Sequence, residues 1–354
     1  MEIQRMNVDF GNSMFMTYID GYYLEIPTNV VELSKKDAEG FFVSASNDPK
    51  EFLNRMLIST NIEGEERYFL VGKISEDSKL ANKHIGKLHD KTTSPIPYVT
   101  FLASVAYYYG LQNPNKLAAD DEVVIKYFST MLPIWLLKKT NKFSEMQSKM
   151  AERFLGTHEV KVQTLGLEKT LIIEVEESKC RIEGEVARWA IKKDFELLDR
   201  EEANQFNDYD VVMIDIGGGT IDLVMLPAGL QAPKNRDAMQ FFTDIPYLAH
   251  LEKLRAEKVI EHFDDVRQLE KFIVDNIHKS KMERVDGNSG ETTDVTQPIR
   301  SSLRDYSRLL ISKVEDAFPA PKDKVYKYVY IGGVAPILKN SIKDEIEERY
   351  NPVI

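Results

Sequence analysis

Val211-Val212-Met213-Ile214-Asp215-Ile216-Gly217-Gly218-Gly219-Thr220-Ile221-Asp222 is the stretch whose reading decides the fold. Its first half is a β-branched apolar run of the kind that fills a buried strand. The run closes on an acid, the chain then sheds all side-chain bulk for three glycines, and Ile221 to Leu226 returns as a second strand. Glycine tolerates positive φ and lets backbone N–H groups approach a ligand, as an anion nest for phosphate requires, and Thr220 adds a hydroxyl. Asp215 would face the cation that accompanies phosphate through magnesium-bound water, because magnesium gives up its waters reluctantly. Taken alone, the same letters also describe a tight hairpin turn with an acidic cap.

Working outward, the same grammar opens the chain. A strand beginning at Asn7 ends in Asp9-Phe10-Gly11-Asn12-Ser13 and returns through Tyr18 to a turn at Asp20-Gly21. One acid-glycine hairpin is a weak signal. Two, one in each half of the chain, are specific, because two domains can clamp a triphosphate from opposite sides. A third glycine turn, Ile331-Gly332-Gly333-Val334-Ala335-Pro336, follows a strand from Val325 and opens a helix bearing Leu338, Ile342 and Ile346 on one face. There backbone can pack against a nucleoside, and the helix N-terminus adds positive potential. A plain strand-to-helix connection is the competing reading.

Between these turns the periodicity predicts short strands around Glu63-Gly64, a buried helix over Pro97 to Gly110 and a strand over Asp121 to Tyr127 that leads to Met131-Leu132-Pro133, where the proline should end the strand. In Phe143 to Leu155 the residues Met146, Met150 and Phe154 recur every four positions, as on the core face of a helix. Strands follow at Val160 to Thr164 and Leu171 to Val175. Arg181 to Ala187 then enters a helix that runs through Trp189, Tyr247 to Ile277 is helical and charged, and Leu303 to Phe318 is amphipathic. The chain of 354 residues suits two α/β domains, and no segment approaches the ~20 apolar residues of a membrane span. The N-terminus lacks the apolar region and cleavage site of a secretory signal, so a cytoplasmic protein is expected. The lone Cys180 excludes an intrachain disulfide, and a net charge of −11 opposes direct attraction to the phosphates of DNA.

Other constellations carry less. His84 and His89 lack the carboxylate or cysteine that would complete a metal set, and His158-Glu159 lacks the second histidine of a zinc-protease helix, so all three histidines are expected at the surface. Ser13 has no histidine at legible spacing and reads as a phosphate contact rather than a nucleophile. Tyr107-Tyr108-Tyr109, inside an apolar helix, reads as packing.

The order of the three glycine turns resembles the ATPase superfamily of actin, heat-shock chaperones and sugar kinases, and within it the bacterial plasmid-segregation actins of the ParM type. Asp9 to Ser13 looks like the first phosphate loop, Asp215 to Asp222 like the second, and Gly332 to Ala335 like the adenosine loop. The Leu132-Pro133 element is similar to a feature of the plasmid actins, and Arg181 to Ala187 lies where the family has its first connecting helix. The resemblance implies an α/β fold of two similar ribonuclease-H-like domains flanking a nucleotide cleft, with domain I at 1–183 plus 338–354 and domain II at 184–337. It implies Asp9 and Asp215 on magnesium and its waters, and Glu183, ahead of its rival Glu185, as the base that orients the attacking water. Phosphate would be cradled by Gly11, Asn12, Ser13, Gly217, Gly218, Gly219 and Thr220, and the nucleoside met by Gly332 and Gly333.

The function so implied is an ATPase, with GTP as the alternative nucleotide, that assembles into filaments and moves plasmid DNA through an adaptor bound to centromere-like DNA. No direct nucleic-acid contact and no membrane are expected. The alternative is a monomeric small-molecule kinase on the same fold. Two departures stand out. The lysine common in the returning strand of the first loop is matched by Met16. Val334 stands where a third glycine is common, so its side chain is expected beside the nucleoside.

Overall fold

In the computed structural model the described residues are 1–11, 14–76, 91–116, 120–140, 142–194, 198–287 and 289–350. They form two compact units, Met1–Leu132 with Leu136–Ile182, and Pro133–Trp135 with Glu183–Ile354. Among the described residues no helix is long and apolar enough to cross a membrane.

The first unit is built on a five-stranded sheet of β1 (Met6–Phe10), β2 (Met14–Ile19), β3 (Tyr22–Pro27), β4 (Phe128–Leu132) and β5 (Ser178–Ile182), in the order β5-β4-β1-β2-β3. β1 and β2 form the antiparallel hairpin read from the sequence, and β4 and β5 run parallel to β1. Strict alternation sends Met6, Val8 and Phe10 inward and leaves Asn7 and Asp9 half-buried on the other face. The inner face meets α1 (Pro95–Gln112) and α2 (Phe143–Glu152) through stacked rings: Phe154 lies 5.3 Å from Phe10 and 4.8 Å from Phe128, and Phe101 crosses it edge-on. Met146, Met150 and the tyrosine run of α1 are buried, as their spacing implies. Pro133 ends β4, since proline offers no ladder N–H. The strand read over Asp121 to Tyr127 spans Asp121–Ile125, and β4 follows as a separate strand. Asp121–Ile125 belongs to a second sheet of seven strands that also holds both strands of the Glu63-Gly64 hairpin.

In the second unit β6 (Asp210–Ile216), β7 (Ile221–Leu226), β8 (Met239–Phe242) and β9 (Tyr326–Ile331) form a sheet in the order β8-β7-β6-β9. The β6–β7 hairpin is antiparallel and β9 runs parallel to β6, repeating the arrangement around β1. The helices are α3 (Ala187–Lys192), α4 (Tyr247–Leu254), α5 (Val266–Asn276), α6 (Thr296–Ala317) and α7 (Ala335–Tyr350). The apolar faces of α4, α5, α6 and α7 close one core with the sheet: Tyr247, Leu251, Leu269, Leu303, Leu310, Leu338 and Ile342 are all buried there.

Two expectations need correction. The segment from 338 packs in the second unit, not the first: Leu338 and Ile342 share its core, and Arg349 of α7 bonds Glu315 of α6 at 3.0 Å. The helix after Arg181 starts only at Ala187, because Arg181 and Ile182 finish β5 and Gly184 turns the chain at φ +77°.

Candidate functional site

Each unit carries one acid-glycine hairpin. In the second, β6 and β7 pair so that Asp215 stands directly opposite Asp222, which is 3% exposed. Like charges placed opposite each other across a hairpin repel, so such a pair calls for a cation or a donor between them. The turn above it is closed by the Gly217 N–H donating to the Thr220 carbonyl at 2.9 Å. The Gly218 carbonyl accepts from the Leu248 N–H of α4 at 3.0 Å, and a Cβ on Gly218 would sit 3.2 Å from the Leu248 side chain. Thr220 is 9% exposed.

The third glycine turn lies at the same end of this sheet. β9 runs beside β6 with Ile331 level with Asp215, and the chain turns at Gly332 with φ +89°. Gly332 is pressed so closely on β6 that a Cβ there would lie 2.4 Å from Asp215 Oδ1 and 2.7 Å from the Ile216 carbonyl, which accepts from the Val334 N–H at 3.1 Å. Gly217 to Gly219, Asp215 and Gly332-Gly333 therefore form one cradle at the carboxyl ends of parallel strands, where open α/β sheets bind ligands. The α7 N-terminus opens from it. Val334 differs from expectation: it is 4% exposed and belongs to the same core as Ile216, Ile337 and Leu338, in the turn that opens α7, where its N–H is held by the Ile216 carbonyl.

In the first unit Asp9 stands opposite Met16, and Met16 opposite Glu25 on β3. Gly11 follows; a Cβ there would lie 2.4 Å from the Met14 carbonyl, so the tight turn admits only glycine. Its own carbonyl accepts from Thr28 Oγ1 at 2.8 Å. Asn12 and Ser13 lie outside the described residues, as do His84 and His89. The outer face of the β1, β2 and β3 part of this sheet carries Asp9 and Glu25 and no basic residue. Tyr23, hydrogen-bonded to Glu25, has its phenol pushed up to about 12 by partial burial first, then by that bond and by the charges of Glu25 and Asp9.

Glu183 lies in the turn that precedes α3 and is half-buried. Glu185, its rival, is tied to Arg188 at 2.6 Å with both side chains largely covered. His158, expected at the surface, is half-buried instead: Tyr98 Oη lies 3.1 Å from its Nδ1 and the Phe154 carbonyl 3.1 Å from its Nε2. Among the described residues no three or more His, Cys, Asp or Glu gather as a direct metal cage. A cation here would be held by few carboxylates and much water, as magnesium is, and the facing Asp215 and Asp222 suit that. The sequence reading does not single out Asp222; counting symmetrically outward from the glycine turn pairs it with Asp215.

Two units, each with an acid-ended strand turning through glycine beside a parallel neighbour, define an actin-like protein. The solved structure of the actin-like protein Alp7A is 59% identical to this chain, covers 99% of it and 89% of its own length, and superposes with a TM-score of 0.92. The chain belongs to the Alp7A family of actin-like proteins. The model of the Alp7A C-terminal domain matches residues 210–354. ParM of Bacillus thuringiensis with ATP aligns at 17% identity over 97% of this chain and 90% of its own, TM-score 0.63. A ParM filament from Clostridium botulinum aligns at 16% identity over 97% and 92%, TM-score 0.64. No curated protein sequence matches the chain significantly. These likenesses do not favour the small-molecule kinase.

Proposed function

We propose that this protein is a nucleotide-dependent filament former of the plasmid-segregating kind, binding ATP with magnesium and hydrolysing it as the filament turns over. The observation that carries the reading is the close packing of Gly332 on Asp215 beside the Gly217 to Gly219 turn. That packing clears side-chain bulk from one patch, exposing backbone around a carboxylate, which is what a magnesium polyphosphate demands. The N–H groups of Gly218, Gly219 and Gly11 and the hydroxyl of Thr220 bind phosphate oxygens, and Gly217, whose N–H closes the turn on the Thr220 carbonyl, lets the phosphate come close. Gly332 and Gly333 leave room for the nucleoside. Asp215 and Asp9 orient the waters of magnesium, which when bound neutralises phosphate charge, and Asp222 supports Asp215 from the opposite strand. Glu183 orients the attacking water and takes its proton. We assign 1–182 to domain I and 183–350 to domain II, apart from the short 133–135 segment that groups with the second.

ParM of Bacillus thuringiensis has been solved with ATP and ParM of Clostridium botulinum as a filament. We extend both properties to this chain, with GTP the nucleotide to compare. The net charge of −11 supports an adaptor as the part that touches DNA.

Right-angle light scattering with pelleting, at rising protein concentration with magnesium and ATP, GTP, ADP or no nucleotide, tests the proposal. Assembly above a critical concentration with triphosphate alone is expected. Tight ATP binding without assembly would refute the filament reading and revive the phosphotransferase.

A further inference from the structure

The hairpin β1–β2 and its neighbour β3 present a face for polyphosphate that has no positive charge of its own: no lysine or arginine occurs between Met6 and Pro27. Register makes the deficit specific. Asp9, Met16 and Glu25 form one cross-strand row. Asn7 pairs with Ser129 on β4, so two residues further along the same parallel pair Asp9 is level with Met131. Met131 in turn pairs with Arg181 on β5. The row across the sheet is therefore Arg181, Met131, Asp9, Met16, Glu25, all on the face opposite the Phe10–Phe128–Phe154 stack.

Arg181 is the row's one cation. Among the described residues its guanidinium enters no ion pair or side-chain hydrogen bond. It is exposed, whereas Lys179, the basic residue of the next row, is 3.3 Å from Glu177. β5, β4 and β1 are parallel, so Arg181, penultimate in β5, lies toward the same sheet end as Asp9, penultimate in β1, and the Gly11 turn. Two strand spacings separate Arg181 from Asp9, roughly 10 Å between backbones, and an arginine is long and flexible enough to lean along such a face.

We propose that Arg181 is the phosphate-binding cation of the first unit, serving from β5 the role that no side chain of the β1–β2 hairpin is placed to serve. The inference rests on the nucleotide reading above. A guanidinium on an acidic face meets an incoming phosphate through paired N–H donors while offsetting the charge of Asp9 and Glu25.

Calorimetry on the full chain, kept below its assembly concentration and titrated with MgATP and separately with adenosine, tests this. Arg181→Gln should weaken MgATP by about tenfold, the loss of one charge-assisted contact, and leave adenosine unchanged. Adding Met16→Lys to that variant should recover most of the loss, and Lys179→Gln should cost nothing. The proposal is overturned if Arg181→Gln binds MgATP as the wild type does, if adenosine weakens in step, or if Lys179→Gln loses as much. A wild-type protein that takes neither probe would instead defeat the nucleotide reading, and this inference with it.

Discussion

Gly332→Ala is the sharpest test of the cradle in the second unit, because the structure sets the size of the effect. Gly332 sits at φ +89°, and its new methyl group would stand 2.4 Å from Asp215 Oδ1, 2.7 Å from the Ile216 carbonyl and 2.8 Å from the Ile216 nitrogen. Forcing alanine into the left-handed region costs about 1–2 kcal/mol. Overpacking against atoms that must give way adds about 1–3 kcal/mol. The total, roughly 2–5 kcal/mol, is a large part of the ~5–15 kcal/mol that holds a domain together. At about 2–4 °C per kcal/mol for a unit of this size, melting should fall by roughly 5–15 °C. The cheaper way to relieve the clash is to push the Asp215 carboxylate aside, so affinity for magnesium nucleotide should fall as well.

Gly333→Ala is the control for stability of the nucleotide-free protein, since a Cβ there meets nothing within 4 Å. Calorimetric melting of both variants with and without MgATP reads the two effects. A Gly332→Ala protein that melts with the wild type and binds MgATP normally refutes the packing argument. Equal destabilisation by Gly333→Ala refutes its specificity.

Four further outcomes are expected. Glu183→Ala should cut phosphate release by about 10²-fold or more while nucleotide affinity holds; turnover at the wild-type rate would remove Glu183 from its role. Asp215→Ala should abolish magnesium-dependent nucleotide binding in calorimetry. Asp222→Asn relieves the carboxylate pair, so it should stabilise the nucleotide-free protein by about 0.2–1 kcal/mol in urea unfolding and shrink the stabilisation that magnesium adds. Burial holds the imidazole of His158 below its ordinary pKa, so the unfolded chain takes up the proton first. Stability should be lost as pH drops below about 6.5, and His158→Gln should show a smaller fall in urea midpoint between pH 7.5 and 5.5.

The parts legible in the sequence are those fixed by local demands. A β-branched run stopping at Asp215 before three glycines has few conformations open to it, and β6, its turn and β7 form as read. The Met146, Met150, Phe154 spacing likewise fixes the face of α2, because helical period alone decides which side is buried. What eluded reading depends on partners far along the chain. The seven-stranded sheet joins Lys161 to Ser59 and Glu2 to Val124, pairings that no short window contains. The apolar face of α7 would suit either unit by pattern; its companion is seen only in the packing, where Leu338 and Ile342 enter the second unit's core and Arg349 and Arg308 tie α7 to α6 through Glu315 and Glu345.

The same distinction separates the legible half of the site from the rest. Glycine turns advertise themselves because they answer a backbone requirement, and Gly11, Gly217 and Gly332 each stand where a Cβ would strike a carbonyl. Charge compensation advertises nothing, since a cation can reach an acidic hairpin from any strand that shares its face. Whether Arg181 shares that face depends on register alone, for a slip of one residue in β5 would send it inward and bring Cys180 out. Two independent contacts oppose such a slip. β5 keeps five consecutive pairings with β4, and the Gln147 side chain of α2 donates to the Cys180 carbonyl at 3.0 Å. A hairpin without a lysine is thus no argument against phosphate while a neighbouring strand holds an arginine in line with its aspartate.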